Sequence, residues 1–198
     1  EELSEDSGEF LEQEIDTNES IEEDQDESSS FVDFVKEGPY TSISESRSAN
    51  VTNCNGMQYE VYTPQGIVNP PTVVLGHGFA RGADTMTGWA NHLSTWGVEV
   101  LLPSLCHYNV FAGVDHEMNG QNMVELGLFH GYTRIVYAGH SAGGLAAIIA
   151  SSIDENSAGV LGLDTTDTEN VPGVQDFIGT QYADTIHGTG FYVLGEAS

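Results

Sequence analysis

The apolar positions change period near residue 70. Before it, 40–46 and 58–63 alternate apolar with polar residues and are rich in β-formers, which predicts a pair of antiparallel strands opening the fold. After a loop bounded by Pro64 and Pro71, the stretch 72–75 is an unbroken apolar run, the mark of a strand buried on both faces. Further strands are expected at 98–102, 134–139, 159–163 and 190–194. Helical spacing lies between them. It predicts a helix over 84–96 with Trp89, Leu93 and Trp96 on one side, and one over 116–129 carrying Met123, Leu126 and Phe129. A helix of small residues follows at 142–152, with a weaker one near 174–184. Alternating strands and helices imply the α/β class: a mostly parallel sheet with helices on both faces. In 31–37, Phe31, Val32, Phe34 and Val35 fit both periods and mark where order begins, and Gly38-Pro39 is a turn.

Charge divides the chain differently. Its 198 residues carry 31 acids and 4 bases, a formal net of −27. Sixteen of those acids fall in 1–37, where Lys36 is the only base. Such a stretch cannot bury enough apolar surface to offset its ordering entropy, so 1–37 is expected to be an acidic tail, disordered over about 1–30, with the folded domain in 38–198. That body still sets 15 acids against Arg47, Arg81 and Arg134. A negative field repels phosphates and excludes nucleic acid and anionic membrane as partners. No apolar run is long enough to span a bilayer. The chain opens at Glu1 without a methionine. An acidic leader after a removed signal suits a secreted or cell-surface protein, expected as a monomer. Cys54 and Cys106 either form one disulfide or remain two buried thiols; their spacing fits no zinc site.

The chemistry concentrates at Gly139-His140-Ser141-Ala142-Gly143, a G-x-S-x-G pentapeptide that follows a predicted buried strand and opens a predicted helix. A sharp strand-to-helix turn there strains the backbone at Ser141 and exposes Oγ. The glycines keep side chains out of the crowded bend. The new helix aims its first amides at the same point, where they stabilise developing negative charge. Gly76-His77-Gly78-Phe79 closes the strand at 72–75 in the same way.

On these two motifs the sequence resembles the α/β-hydrolase superfamily. The likeness is greatest to chlorophyllase and cutinase-like serine esterases, through His77-Gly78-Phe79, the elbow and Gly162-Leu163-Asp164, and it covers roughly 58–198. The resemblance implies an oxyanion hole from the backbone N–H groups of Phe79 and Ala142, with His77 fixing the loop through its ring nitrogens. It also implies the chain order Ser, acid, His. Asp164, at the end of the strand after the elbow, is the expected acid, with Asp167 and Glu196 as alternatives. Only His187 follows Ser141, and it precedes the strand at 190–194, at the wrong end of the sheet. The chain therefore reads as a hydrolase truncated at its C-terminus, lacking the last strand, the histidine loop and the last helix, and impaired by that loss. Asp115-His116-Glu117 and the acids of 164–169 lack metal-ligand spacing and read as solvated loops; no cofactor and no metal are expected. Tyr108 and Phe111 either line an acyl pocket or pack. The function expected is a serine-type carboxylic-ester hydrolase acting on a small-molecule or lipid-like ester. The alternatives are a non-catalytic surface binding module and a thioesterase or dienelactone-type hydrolase on the same fold.

Overall fold

A computed structural model describes residues 32–109, 113–167 and 178–193. The chain divides between Asp33 and Phe34, and the fold lies in Phe34–Ser198. The acidic stretch 1–31, Phe111, Glu169 and Glu196 fall outside the described residues.

The two opening strands are β1 (Ser42–Val51) and β2 (Cys54–Pro64), paired antiparallel and longer than the alternation predicted. They are followed by β3 (Thr72–Gly76), α1 (Thr87–Thr95), β4 (Glu99–Pro103), β5 (Tyr108–Asn109), β6 (Gly113–Val114) and α2 (His116–Phe129). Then come β7 (Ile135–His140), α3 (Ala142–Ile153), β8 (Ser157–Leu163), α4 (Ile178–Ala183) and β9 (Thr189–Val193). Seven strands form one sheet in the order β1-β2-β4-β3-β7-β8-β9, and every pairing from β4 to β9 is parallel.

Side-chain alternation explains why this sheet has two cores. Val73 and Leu75 of β3, Val100 and Leu102 of β4 and Ala138 of β7 pack on one face with Met86 and Ala90. Val74, Leu101, Tyr137 and Val160 point to the other, against Met123 and Leu126 of α2 and Ala146, Ala147 and Ala150 of α3. The chain leaves β3 toward β4 on one side and returns to β7 on the other. That reversal opens a crevice at the C-terminal ends of β3 and β7, where ligands collect in such sheets.

Three details correct the pattern. The expected helix over 84–96 is a 3-10 turn (Ala83–Met86) running into α1, and its buried stripe is Met86, Ala90 and Ser94; Trp89 is half in solvent. Phe129 is exposed at the end of α2, although Met123 and Leu126 are fully buried as expected. The β5–β6 hairpin has no counterpart in the expected elements. The open alternative for the cysteines resolves as a Cys54–Cys106 disulfide, tying the start of β2 to the loop after β4.

Candidate functional site

Ser141 sits between β7 and α3 with φ 53° and ψ −119°, a conformation that side-chain-bearing residues rarely hold. Sequence makes it possible by removing Cβ atoms around it. A Cβ on Gly139 would overlap the backbone of Gly143, and one on Gly143 would run into Gly76 and His77. Strand β3, strand β7 and helix α3 thus meet backbone to backbone. The Ser141 N–H donates to Leu163 O at 2.9 Å, anchoring the bend to β8, and its carbonyl accepts from Gly144 and Leu145 at 3.0 and 3.2 Å. The half-buried side chain places Oγ 3.3 Å from Thr166 Oγ1.

The second motif lies against the first. A Cβ on Gly78 would stand 3.1 Å from His140 Nδ1 and 3.5 Å from Ser141 Cβ. His77 is buried under this turn. Its Nε2 accepts from Leu105 N–H at 3.1 Å, so the ring proton sits on Nδ1, which donates to Gly78 O at 3.0 Å. Burial holds the imidazole below its ordinary pKa. Tyr108 donates its hydroxyl to His77 O at 3.0 Å, and its ring packs on His77 and Phe79 with centroids 5.0 and 6.2 Å away. Tyr108 therefore packs the turn, and burial raises its phenol pKa well above the usual value. Among the described residues, the backbone N–H groups of Phe79 and Ala142 have no acceptor.

The acid is less well defined. Asp164 is the first residue after β8, exposed, with φ 47°. Its carbonyl accepts from Thr166 Oγ1 at 3.4 Å, and no described residue bonds its carboxylate. Asp167 accepts Gly179 N–H on Oδ2 at 3.0 Å, while Oδ1 is buried without a partner. All seven histidines are described, and none is hydrogen-bonded to Ser141 Oγ. His187 lies at the far end of α3, as expected: its N–H donates to Ser151 O at 3.2 Å. Ten residues of helix place that point ~15 Å from Ser141.

Two neighbours of the elbow carried no signal in the sequence. Thr166 reaches Oγ only because the loop after β8 folds back on the bend. His116 is the first residue of α2 rather than part of a solvated loop, 5% exposed, with Nδ1 unpartnered. Burial lowers its pKa, opposed by the Ala142 carbonyl that its ring faces and by Asp167 and Asp115. Asp115 caps α2, its Oδ1 accepting Met118 N–H at 2.9 Å, and Glu117 bonds Tyr182. Among the described residues, no group of three His, Cys, Asp or Glu is placed to hold a metal, and no helix is long and apolar enough to cross a membrane.

No protein-family model and no curated protein matches this sequence. Solved structures do. Brefeldin A esterase, a bacterial homologue of human hormone-sensitive lipase, superposes with a TM-score of 0.55 at 16% identity, over 64% of this chain and 40% of that one. A bacterial membrane phospholipase A gives 0.52 at 21% identity, over 67% and 42%. A Klebsiella pneumoniae protein described as a dienelactone hydrolase gives 0.63 at 12% identity, over 76% and 71%. These structures differ in the chemistry their names state and share the fold. The chain has the α/β-hydrolase fold. It spans less than half the length of the esterase and the phospholipase.

Proposed function

We propose that this protein is a serine-type carboxylic-ester hydrolase. The observation that carries the reading is Ser141, held at φ 53° on a glycine-cleared bend, with the N–H groups of Phe79 and Ala142 unpartnered among the described residues. Strain of this kind costs about 1–3 kcal/mol and persists where function uses it. Ser141 Oγ attacks the ester carbonyl carbon while its proton passes to a base. The carbonyl π-electrons move onto oxygen, where the two amides hold the oxyanion. Collapse expels the alcohol, which takes the proton from the base, and water then releases the acid by the same steps in reverse order. Asp164 is the proposed acid, and the base is a histidine brought to Ser141 from outside the seven of this chain. The substrate is a small-molecule or lipid-like ester. The disulfide and the acidic surface support a secreted or cell-surface setting.

A fluorophosphonate probe tests this. The expected result is a single adduct on Ser141 that Ser141→Ala abolishes, with p-nitrophenyl acyl esters hydrolysed once sequence supplying a histidine is joined to the chain. The seven histidines, none on Oγ, favour a second reading, a non-catalytic binding module. Absence of any adduct on Ser141, with or without that added sequence, selects it.

A further inference from the structure

Each arginine of the acidic body has a different setting. Arg47 pairs with Glu45 at 2.7 Å on β1. Arg134 precedes β7 and so lies at the end of the sheet away from Ser141. Arg81 follows Phe79 by two residues, at the close of the turn that faces the nucleophile, its N–H donating to Gly78 O at 3.3 Å. Its side chain is exposed, and among the described residues no carboxylate lies within ion-pair distance of the guanidinium.

Arg81 lines a cavity of ≈ 300 Å³ together with Thr85, Met86, Trp89, His140 and Leu163 among the described residues. Two of these fix the cavity to the reaction centre: His140 immediately precedes Ser141, and Leu163 O holds the Ser141 N–H. Met86, Trp89 and Leu163 supply apolar walls for a chain or ring. Among the described residues no carboxylate contributes to the lining; Asp84, three residues from Arg81, lines a different cavity with Glu60 and Gln58. On a chain of net −27 a negative ligand meets repulsion. Here an arginine with no carboxylate partner among the described residues lines an apolar slot beside the nucleophile, and a guanidinium is the group that recognises a carboxylate through two parallel hydrogen bonds.

We propose that this cavity binds a free carboxylate, with Arg81 as its recognition residue and Trp89 as its apolar wall. The esters cleaved at Ser141 then carry a second, ionised carboxyl group, as half-esters of dicarboxylic acids do. This specificity rests on the hydrolase reading above; the anion site itself does not.

The test separates the two. The full chain is titrated by tryptophan fluorescence with phenylacetate and with its neutral isostere phenylacetamide, in wild type, Arg81→Gln and Arg81→Lys; Trp89→Phe identifies the reporter. Phenylacetate binds roughly tenfold tighter than the amide, the lower range for charge-assisted pairs. Arg81→Gln removes the preference, and Arg81→Lys restores only part of it. Equal binding of the two compounds, or a preference that survives Arg81→Gln, overturns the proposal. Where turnover is measured, the ratio of kcat/KM for mono-p-nitrophenyl glutarate over p-nitrophenyl pentanoate falls about tenfold in Arg81→Gln. An intact phenylacetate preference without adduct or turnover at Ser141 sinks the hydrolase reading and leaves the anion site. Turnover with a ratio unchanged in Arg81→Gln keeps the hydrolase reading and overturns the carboxylate specificity.

Discussion

Ser141 and His77 hold the bend and the facing turn by opposite means. Ser141 carries backbone strain at φ 53°, so replacing it with glycine, which tolerates that region, relieves more than glycine's extra chain entropy takes back. Ser141→Gly is expected to raise the urea-unfolding free energy by about 1 kcal/mol and to abolish labelling; Ser141→Ala, which keeps the strain, brings no such gain. His77 carries no strain but three hydrogen bonds, two on the ring and one on its carbonyl. His77→Ala strands Leu105 N–H and Gly78 O, at a cost of about 2–4 kcal/mol. The ring also sets a pH response. Burial lowers its folded-state pKa, so around that value the unfolded chain binds more protons than the folded one. Its contribution is complete above the ordinary histidine value of ~6.5 and is lost as pH falls through the lowered one. His116 acts in the same direction. Thermal unfolding of wild type and His77→Gln between neutral pH and about pH 4.5 checks this: the variant starts lower and declines less steeply. Parallel curves would show that His77 does not titrate in the fold.

At the scale of elements, the crossing of β3, β7 and α3 depends on absent side chains. Gly143→Ala forces a Cβ into the backbone of Gly76 and His77, which has no flexible atom to yield. Loss of more than about 3 kcal/mol, or failure to fold, is expected. Gly88, on the exposed side of α1 with open space around it, is the contrast: Gly88→Ala is expected to stabilise by about 0.5–1 kcal/mol through helix propensity. Chemical denaturation of both variants measures the difference. These elements were also the legible ones. Strands β3, β4 and β7 each lie between two neighbours with both faces covered, so their central residues are apolar and show it in sequence. The elbow was legible because its glycines and its serine are fixed by one local bend. Periodicity marks a helix without saying which stripe the sheet takes. On α1 the small Ala90 and Ser94 allow close approach while Trp89 is left outside. The β5–β6 hairpin has two residues per strand and no periodic signal. Thr166, from the loop after β8, and His116, at the start of α2, reach the elbow from other parts of the chain, and nothing local encodes that. For the same reason the choice among Asp164, Asp167 and Glu196 stayed open.

For the whole molecule, the dominant long-range term is repulsion. The chain carries 31 acids against 4 bases, and the Arg47–Glu45 ion pair is exposed, so its attraction is small. Salt therefore has little attraction to weaken and much repulsion to screen. The compact state concentrates the negative charge more than the unfolded chain does, so screening favours folding. The Debye length falls from about 30 Å at 0.01 M to about 8 Å at 0.15 M, so most of the relief comes at low ionic strength. Raising sodium chloride from about 0.01 to 0.3 M is expected to lift Tm by several degrees, with a plateau beyond. Surface exclusion of the kind that sulfate produces would instead keep raising Tm toward molar concentrations. A second arm separates charge from hydration directly. Lowering pH from neutral toward about 5.5, still above the ordinary pKa of the carboxyl groups, leaves most of the repulsion in place while the buried His77 and His116 resist protonation. The salt-induced rise should then persist almost undiminished on a lower baseline. A Tm that is flat below 0.3 M, or that falls, would mean that attractive pairs outweigh the repulsion implied by the excess of acids.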